Sequence, residues 1–212
     1  MIRNIIFDMG GVIVDVYRDR AIHNFEAIGV GNADELIGTY HHKGIFIEFE
    51  NGSIDTVEFC HLLCKQTDKE IPREAIEYAW RSIIDPPLQY KLDYLQELRK
   101  TLKVFMLSNN NPIIMDWACF PGFTESGNAL SDYFDKMYIS YQMNCTKPNL
   151  KIFKMMIEDA KINPSESLFI DDSEKNINAA KECGLQVCIV QNRTDWRNAI
   201  ASILAVYRER QK

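Results

Sequence analysis

The sequence predicts an α/β fold, a parallel sheet whose chain is interrupted after the first strand by a small helical insertion. Three observations carry that expectation. Short apolar runs alternate with helical patterns along most of the chain, the order that builds a parallel sheet. Two of those runs end in carboxylates, one in Asp8 and one in Asp171 and Asp172. Between about residues 18 and 85, by contrast, helical patterns follow one another with no convincing strand.

The first strand is read at 5–8 and is followed by a loop at 9–17. Helical patterns then occupy 21–28, 33–40, 54–66 and 73–84. Ser53 is placed to cap the third of these, and Pro72 fits the first turn of the fourth. Pro86 and Pro87 form a hinge back to the sheet. Leu88, Leu92, Leu95, Leu98 and Leu102 mark one face of a helix at the expected spacing. A strand at 104–107 leads into Ser108 and the run Asn109, Asn110, Asn111, which caps a helix starting near Pro112. An irregular insert at 119–131, rich in aromatics with Phe134 just beyond, precedes a strand at 137–140. A helix after Lys147 and Pro148 turns Ile152, Phe153, Met156, Ile157 and Ala160 inward. Strands at 168–170 and 187–190 complete the sheet, and Trp196, Ile200, Ile203, Leu204 and Tyr207 make a closing amphipathic helix. This gives a core of residues 1–16 and 87–212 with a helical cap at 17–86.

Composition narrows the function. The 212 residues are 46% hydrophobic and 25% charged, ordinary for a globular protein with a sizeable core. A net charge of −6 argues against a nucleic-acid partner, which favours a basic stripe. No run approaches the roughly 20 apolar residues that span a bilayer, and the apolar start is broken by Asp8 without a cleavage site. Six cysteines without tight paired spacing suit a reducing compartment, so the reading is cytoplasmic, with no membrane partner. The oligomeric state is left open.

In an open α/β sheet, ligands bind beyond the carboxyl ends of the strands. Three carboxylates gathered there repel one another unless a cation lies between them, and oxygen donors of this kind suit Mg²⁺. A carboxylate is also a competent nucleophile for phosphoryl transfer, and Lys147 offers a compact positive charge to Asp8 and to a phosphate. Ser108 can donate its hydroxyl to phosphoryl oxygens.

Asp8 with Gly10 (D-x-G), Ser108-Asn109-x-Asn111 (S-N-x-N), Lys147-Pro148 and Asp171-Asp172, in this order and each after the right element, resemble the four motifs of the haloacid dehalogenase-like hydrolase superfamily. The resemblance spans nearly the whole chain and looks closest to the branch with bacterial α-D-glucose-1-phosphate phosphatases. It implies a Rossmann-like core with a cap that closes over the active site, and a Mg²⁺-dependent phosphatase of a small phosphorylated metabolite, a sugar phosphate among the candidates. Asp8 is then the nucleophile that forms an aspartyl-phosphate. Mg²⁺ is held by Asp8, the Gly10 carbonyl and Asp172, with Asp171 helping directly or through water. Ser108, Asn109, Lys147 and the amides at Met9, Gly10 and Gly11 cradle the phosphate, and Asn176 supports the acidic pair.

The sequence departs from many relatives at Gly10, where they carry an aspartate acting as general acid and base. Such a group is typically worth about 10²–10⁴ in rate. Three readings follow: a substrate with a good leaving group, such as a sugar 1-phosphate; a cap residue in its place, from His41, His42, Glu48 and Glu50; or phosphate binding without useful turnover. The resembling phosphatases share the glycine, which favours the first. A dehalogenase acting on carbon is a further alternative, disfavoured by Asp171 and Asp172, and a sugar-phosphate mutase fits poorly without the missing aspartate.

Other features have structural readings. Asp15 stabilises the loop leaving the site. Cys60, His61 and Cys64 have helical spacing but lack the four ligands of a structural zinc site, so they read as buried thiols on the cap's inner face. Trp80, Trp117 and Trp196 read as core or cap-packing residues. Phe120, Phe123, Tyr133 and Phe134 either cover the core or meet another subunit.

Overall fold

Five apolar runs become the strands β1 (Asn4–Phe7), β2 (Lys103–Ser108), β3 (Lys136–Ile139), β4 (Ser167–Asp171) and β5 (Gln186–Ile189). In the computed structural model, which describes residues 1–209, all pair in parallel in the order β3-β2-β1-β4-β5. The chain winds outward from β1 to β3 and then returns to lay β4 on the other side of β1. The reversal of strand order therefore falls between β1 and β4, whose register pairs Phe7 with Ile170. The Asp8 amide donates to the Ile170 carbonyl at 2.9 Å, which brings Asp8 level with Asp171 at the crevice where such sheets bind ligands.

β1 and β4 are buried along their whole length, as parallel strands covered on both faces are. Alternate side chains enter different layers. Ile5 and Phe7 join Met106 and Ile170 in one cluster, whereas Ile6, Phe105 and Phe169 face the other way.

The insertion after β1 holds α1 (Arg18–Ala27), α2 (Ala33–Leu36), α3 (Ile45–Glu50), α4 (Thr56–Thr67) and α5 (Arg73–Arg81). Its interior is aromatic. Phe25, Phe46, Phe49, Phe59 and Trp80 are buried together, with Phe49 stacked on Phe59 at 4.5 Å and Trp80 edge-on to Phe25 at 5.5 Å. The chain enters and leaves this insertion side by side: Val16 bridges Ile84, and the Tyr17 amide donates to Ile83 at 2.7 Å.

The remaining helices are α6 (Gln89–Arg99), α7 (Pro112–Ala118), α8 (Ser140–Met143), α9 (Leu150–Ala160), α10 (Glu174–Glu182) and α11 (Arg197–Glu209). Leu92 and Leu95 of α6 and Ile200 of α11 cover one face of the sheet, and Ile152, Phe153 and Met156 of α9 with Ile177 of α10 cover the other. No helix among the described residues is long and apolar enough to cross a membrane.

Several local expectations need correction. The pattern at 33–40 yields only the four-residue α2, because Gly38 lies against the His41 carbonyl and the chain bends there. The six-residue α3 has no counterpart in the helical pattern; it is mostly apolar, too short to show a helical period, and bounded by Gly44 and Gly52. Asp55, not Ser53, caps α4 by accepting from the Glu58 amide at 2.9 Å, while Ser53 bonds Asn51. Pro72 stands just before α5 rather than in its first turn. Leu88 precedes α6 and is exposed, so of the leucines in α6 Leu92, Leu95 and Leu98 are buried, beside the buried Lys91. Cys60 and Cys64 are half-buried, and Cys64 accepts from the Ile71 amide, while His61 is exposed. Of the insert aromatics, Phe123, Tyr133 and Phe134 cover the core and Phe120 is exposed.

Trp80 touches every ring of the cap cluster. Trp80→Ala is therefore expected to cost about 3–5 kcal/mol of stability, read from the midpoint of denaturant unfolding. A loss within the ~0.5 kcal/mol of an ordinary surface change would contradict this account of the cap.

Candidate active site

The site is built on the carboxyl ends of β1, β2 and β4. Oxygens of Asp8, Asp171 and Asp172 lie within 4.8 Å of one another. Among the described residues the ammonium that meets this charge is Lys147, which is almost wholly buried and stands 2.9 Å from Asp8 Oδ1 and 2.7 Å from Asp171 Oδ2. A lysine carries three donors, so one N–H remains for an incoming anion.

The backbone of Lys147 is clamped by Asn109. The Asn109 amide donates to the Lys147 carbonyl at 2.9 Å, and its Oδ1 accepts from the Lys147 amide at 2.8 Å. Asn109 thus holds the lysine as well as lining the cavity. Ser108, at the end of β2, is buried, and among the described residues its hydroxyl has a 3.4 Å contact with the Asn109 carbonyl. Asn111 caps α7, accepting from the Ile114 amide at 3.1 Å.

The two neighbouring aspartates have different surroundings. Asp171 is fully buried and both its oxygens are engaged. Oδ1 accepts from the Ser173 amide and the Asn176 amide group, and Oδ2 accepts from Asn176 and Lys147. Asn176 supports the acidic pair through these bonds to Asp171. Asp172 is half-buried and faces the cavity beside Tyr40, whose hydroxyl lies 3.5 Å from the Asp172 carbonyl. Gly11 makes room for it: a Cβ there would stand 2.3 Å from Asp172 Oδ2, and its φ of +72° is itself one that side chains disfavour. Gly11 therefore leaves the space that the Asp172 carboxylate occupies. Its amide donates to Val14 and that of Met9 donates to Asp8 Oδ1 at 2.7 Å, and among the described residues the Gly10 amide is uncommitted.

The loop after Asp8 is held from beneath. The Val12 carbonyl accepts from the buried Lys91 ammonium at 2.9 Å and from the Trp196 indole at 2.8 Å. Lys91 also pairs with Asp15 at 3.1 Å, which accounts for Asp15 as a stabiliser of this loop.

One lysine does not balance three carboxylates, and the protonation of the site reflects it. Burial pushes the Asp8 carboxyl up to about 8 against the pull of Lys147, with Asp171 and Asp172 adding to the rise. Burial and then Asp171 push Asp172 up to about 6. Burial opposes the charge on Lys147, but Asp171 and Asp8 together hold its ammonium above the ordinary value. Asp8 Oδ2 and the Gly10 carbonyl accept no hydrogen bond among the described residues. Excess negative charge with uncommitted hard oxygen donors fits a divalent cation such as Mg²⁺. Asp8, Asp172 and the Gly10 carbonyl are free to hold it, whereas Asp171 is already bonded.

Above this floor is a cavity of about 650 Å³, lined from the cap by His42 and Glu50 and also by Tyr17, Arg18, Arg20, Tyr40 and Arg193. Of the four cap residues considered from the sequence, His42 and Glu50 reach the cavity, while His41 and Glu48 do not line it. Glu48 is exposed on α3. The arginines and Tyr17 escaped the sequence reading. Arg18 and Arg20 belong to the charged opening of α1, and Arg20 and Arg193 stand 4.4 and 4.5 Å from the Tyr17 ring centroid.

Residues 2–184 match the model of the haloacid dehalogenase-like hydrolase family, and the chain belongs to that family. It is 44% identical over 204 residues to the D-ribitol-5-phosphate phosphatase of Bacteroides thetaiotaomicron, covering 96% of this chain and 99% of that one. A HAD-like hydrolase from Porphyromonas gingivalis has the same fold, with a TM-score of 0.92 at 38% identity over 96% of this chain and 98% of that one. A HAD enzyme from B. thetaiotaomicron, solved with magnesium and inorganic phosphate, gives 0.85 at 38% identity over 92% and 98%. The chain is thus a hydrolase whose near relatives include a phosphatase.

Asp8 and Glu50 are both held up to about 8 by burial. A carboxyl raised in the fold contributes stability that is complete below its unfolded value and is lost as pH rises through the folded one. Above about pH 7, His42, lowered to about 4, is neutral in both states and drops out of the comparison. The metal-free protein should therefore lose on the order of 1 kcal/mol per carboxyl between pH 7 and 8, seen as a falling Tm, and millimolar Mg²⁺ should reduce the fall. A Tm flat across that window without metal would contradict these assignments.

Proposed function

We propose that this chain is a Mg²⁺-dependent phosphatase acting on a small phosphorylated metabolite, a sugar or polyol phosphate, through an aspartyl-phosphate on Asp8. The observation that carries the reading is the state of Asp8: Oδ1 is fixed by Lys147 and the Met9 amide, and Oδ2 is left unbonded at the floor of the cavity. A nucleophile so held is oriented before substrate arrives.

In this mechanism a carboxylate oxygen of Asp8 attacks phosphorus, and Lys147 keeps its third N–H for a phosphoryl oxygen. The Gly10 amide and the Ser108 hydroxyl complete the polar surround, with Asn109 fixing the lysine. Mg²⁺, when bound by Asp8, Asp172 and the Gly10 carbonyl, supplies charge that lets two anions approach. Asp171 orients Lys147 from below. Water then hydrolyses the aspartyl-phosphate. Residues of the insertion after β1 line a cavity sized for a small metabolite, and its arginines and Tyr17 supply contacts for a polar, anionic ligand.

The 44% relative is a phosphatase of a pentitol phosphate, which supports a polyol or sugar phosphate and a leaving group that is an ordinary alcohol. Phosphate release should be measured across pentitol, pentose and hexose phosphates, with Mg²⁺ and with chelator. Release should require Mg²⁺ and fall by on the order of 10³-fold or more in Asp8→Asn. A folded protein that binds Mg²⁺ but releases no phosphate from any ester would favour a binding role, and turnover that survives chelation would contradict the mechanism.

A further inference from the structure

Cleaving the phosphate ester of an ordinary alcohol expels an alkoxide that needs a proton. The floor of the site offers none readily. Gly10 has no side chain, and a Cβ there would stand 3.2 Å from Val16 Cγ2. Lys147 is bound to two carboxylates and Asp171 is fully bonded. Tyr40 is exposed, and its phenol is held above its ordinary value by partial burial and then by Asp172, which makes it a weak acid.

Glu50 is different. It lies at the end of α3, is buried, and lines the same cavity as Asp8, Gly10 and Lys147. Its Oε1 is 3.6 Å from His42 Nε2, and its Oε2 has no hydrogen-bond partner among the described residues. An unpartnered buried carboxyl oxygen is costly, so its retention beside an anion site points to a bond made with the ligand.

The end of α3 is also fixed to the sheet domain. The Ser140 hydroxyl accepts from the Asn110 amide at 2.9 Å and donates to the Glu50 carbonyl at 2.6 Å. Gly52 packs directly on the Tyr141 carbonyl, where a Cβ would come within 2.1 Å. Glu50 is therefore held in place over the floor by contacts of its own segment.

We propose that Glu50 is the proton donor and acceptor of the reaction, a reading that rests on the phosphatase function above. As Asp8 forms its bond to phosphorus and the bond from phosphorus to the leaving oxygen breaks, the Glu50 carboxyl gives its proton to that oxygen, releasing a neutral alcohol. Water then attacks the aspartyl-phosphate. Its proton passes to the Glu50 carboxylate, the bond from phosphorus to Asp8 breaks, and inorganic phosphate leaves with both carboxyls restored.

Protonation agrees with this geometry. Burial raises Glu50 to about 8 against a smaller pull from Lys147. Burial lowers His42 to about 4, with His41 and Arg18 adding to the effect. At neutral pH the pair is then a protonated carboxyl beside a neutral imidazole, facing Lys147 and Asp8 across the cavity.

The test compares the full-length Mg²⁺-loaded wild type with Glu50→Gln on ribitol 5-phosphate and on p-nitrophenyl phosphate, whose leaving group needs no proton. For the alkyl ester, kcat/KM should fall by about 10²–10⁴-fold. For p-nitrophenyl phosphate kcat/KM should hold, while a burst of nitrophenol marks slowed hydrolysis of the aspartyl-phosphate. Glu50→Ala should repeat the pattern, and unfolding midpoints check that both variants fold. An active wild type whose variants lose both esters equally, or neither, overturns the assignment alone. A wild type inert toward both esters overturns the phosphatase reading and the assignment with it.

Discussion

The buried ammonium of Lys147 between Asp8 and Asp171 is the interaction on which the rest of the site depends. Three carboxylates converge at one point of the sheet edge, and each has lost solvation to get there. Breaking a buried pair by removing one partner leaves an uncompensated charge and typically costs about 3–5 kcal/mol. Asn109 fixes the Lys147 backbone by two bonds and Asn176 fixes Asp171 by two more, so the positive charge and its deepest partner are both immobilised. The remaining negative charge faces the cavity on Asp8 and Asp172, where a cation and a phosphate would meet.

The fold supplies this geometry through connection order. Because β4 returns to the side of β1 opposite β2, the ends of β1 and β4 open onto the crevice left by the reversal. The same loop that begins at Asp8 is anchored at Val12 by Lys91 of α6 and by Trp196, just before α11, so elements distant in sequence hold the nucleophile's turn in place. Packing does the corresponding work in the cap, where one aromatic cluster sets the positions of α1, α3, α4 and α5 and so brings Glu50 over the floor.

Much of this was legible in the sequence because the chemistry sits on regular elements. Apolar runs ending in Asp8 and in Asp171 and Asp172 mark strand tips, and the order of Ser108, Asn109 and Lys147 between them locates the partners. What escaped was tertiary. Nothing local distinguishes Asp171, whose oxygens are engaged by Lys147, Asn176 and the Ser173 amide, from Asp172, which faces the cavity. Gly11 reads as a turn residue or a phosphate cradle until Asp172 is seen filling the space a Cβ would need. Glu50 and Glu48 are two residues apart on a short helix with no visible period, and only packing decides which is buried. The separation of α2 from α3 was hidden for the same reason.

The most direct test of the charge account is a crystal structure of the wild-type chain with Mn²⁺ in place of Mg²⁺, with the ion located by its anomalous signal. One peak should appear at about 2.0–2.2 Å from carboxylate oxygens of Asp8 and Asp172, with the Gly10 carbonyl in its shell and Lys147 still bonded to Asp171. An ion bound directly by Asp171 with Lys147 displaced, or no ion at this edge of the sheet, would contradict the account.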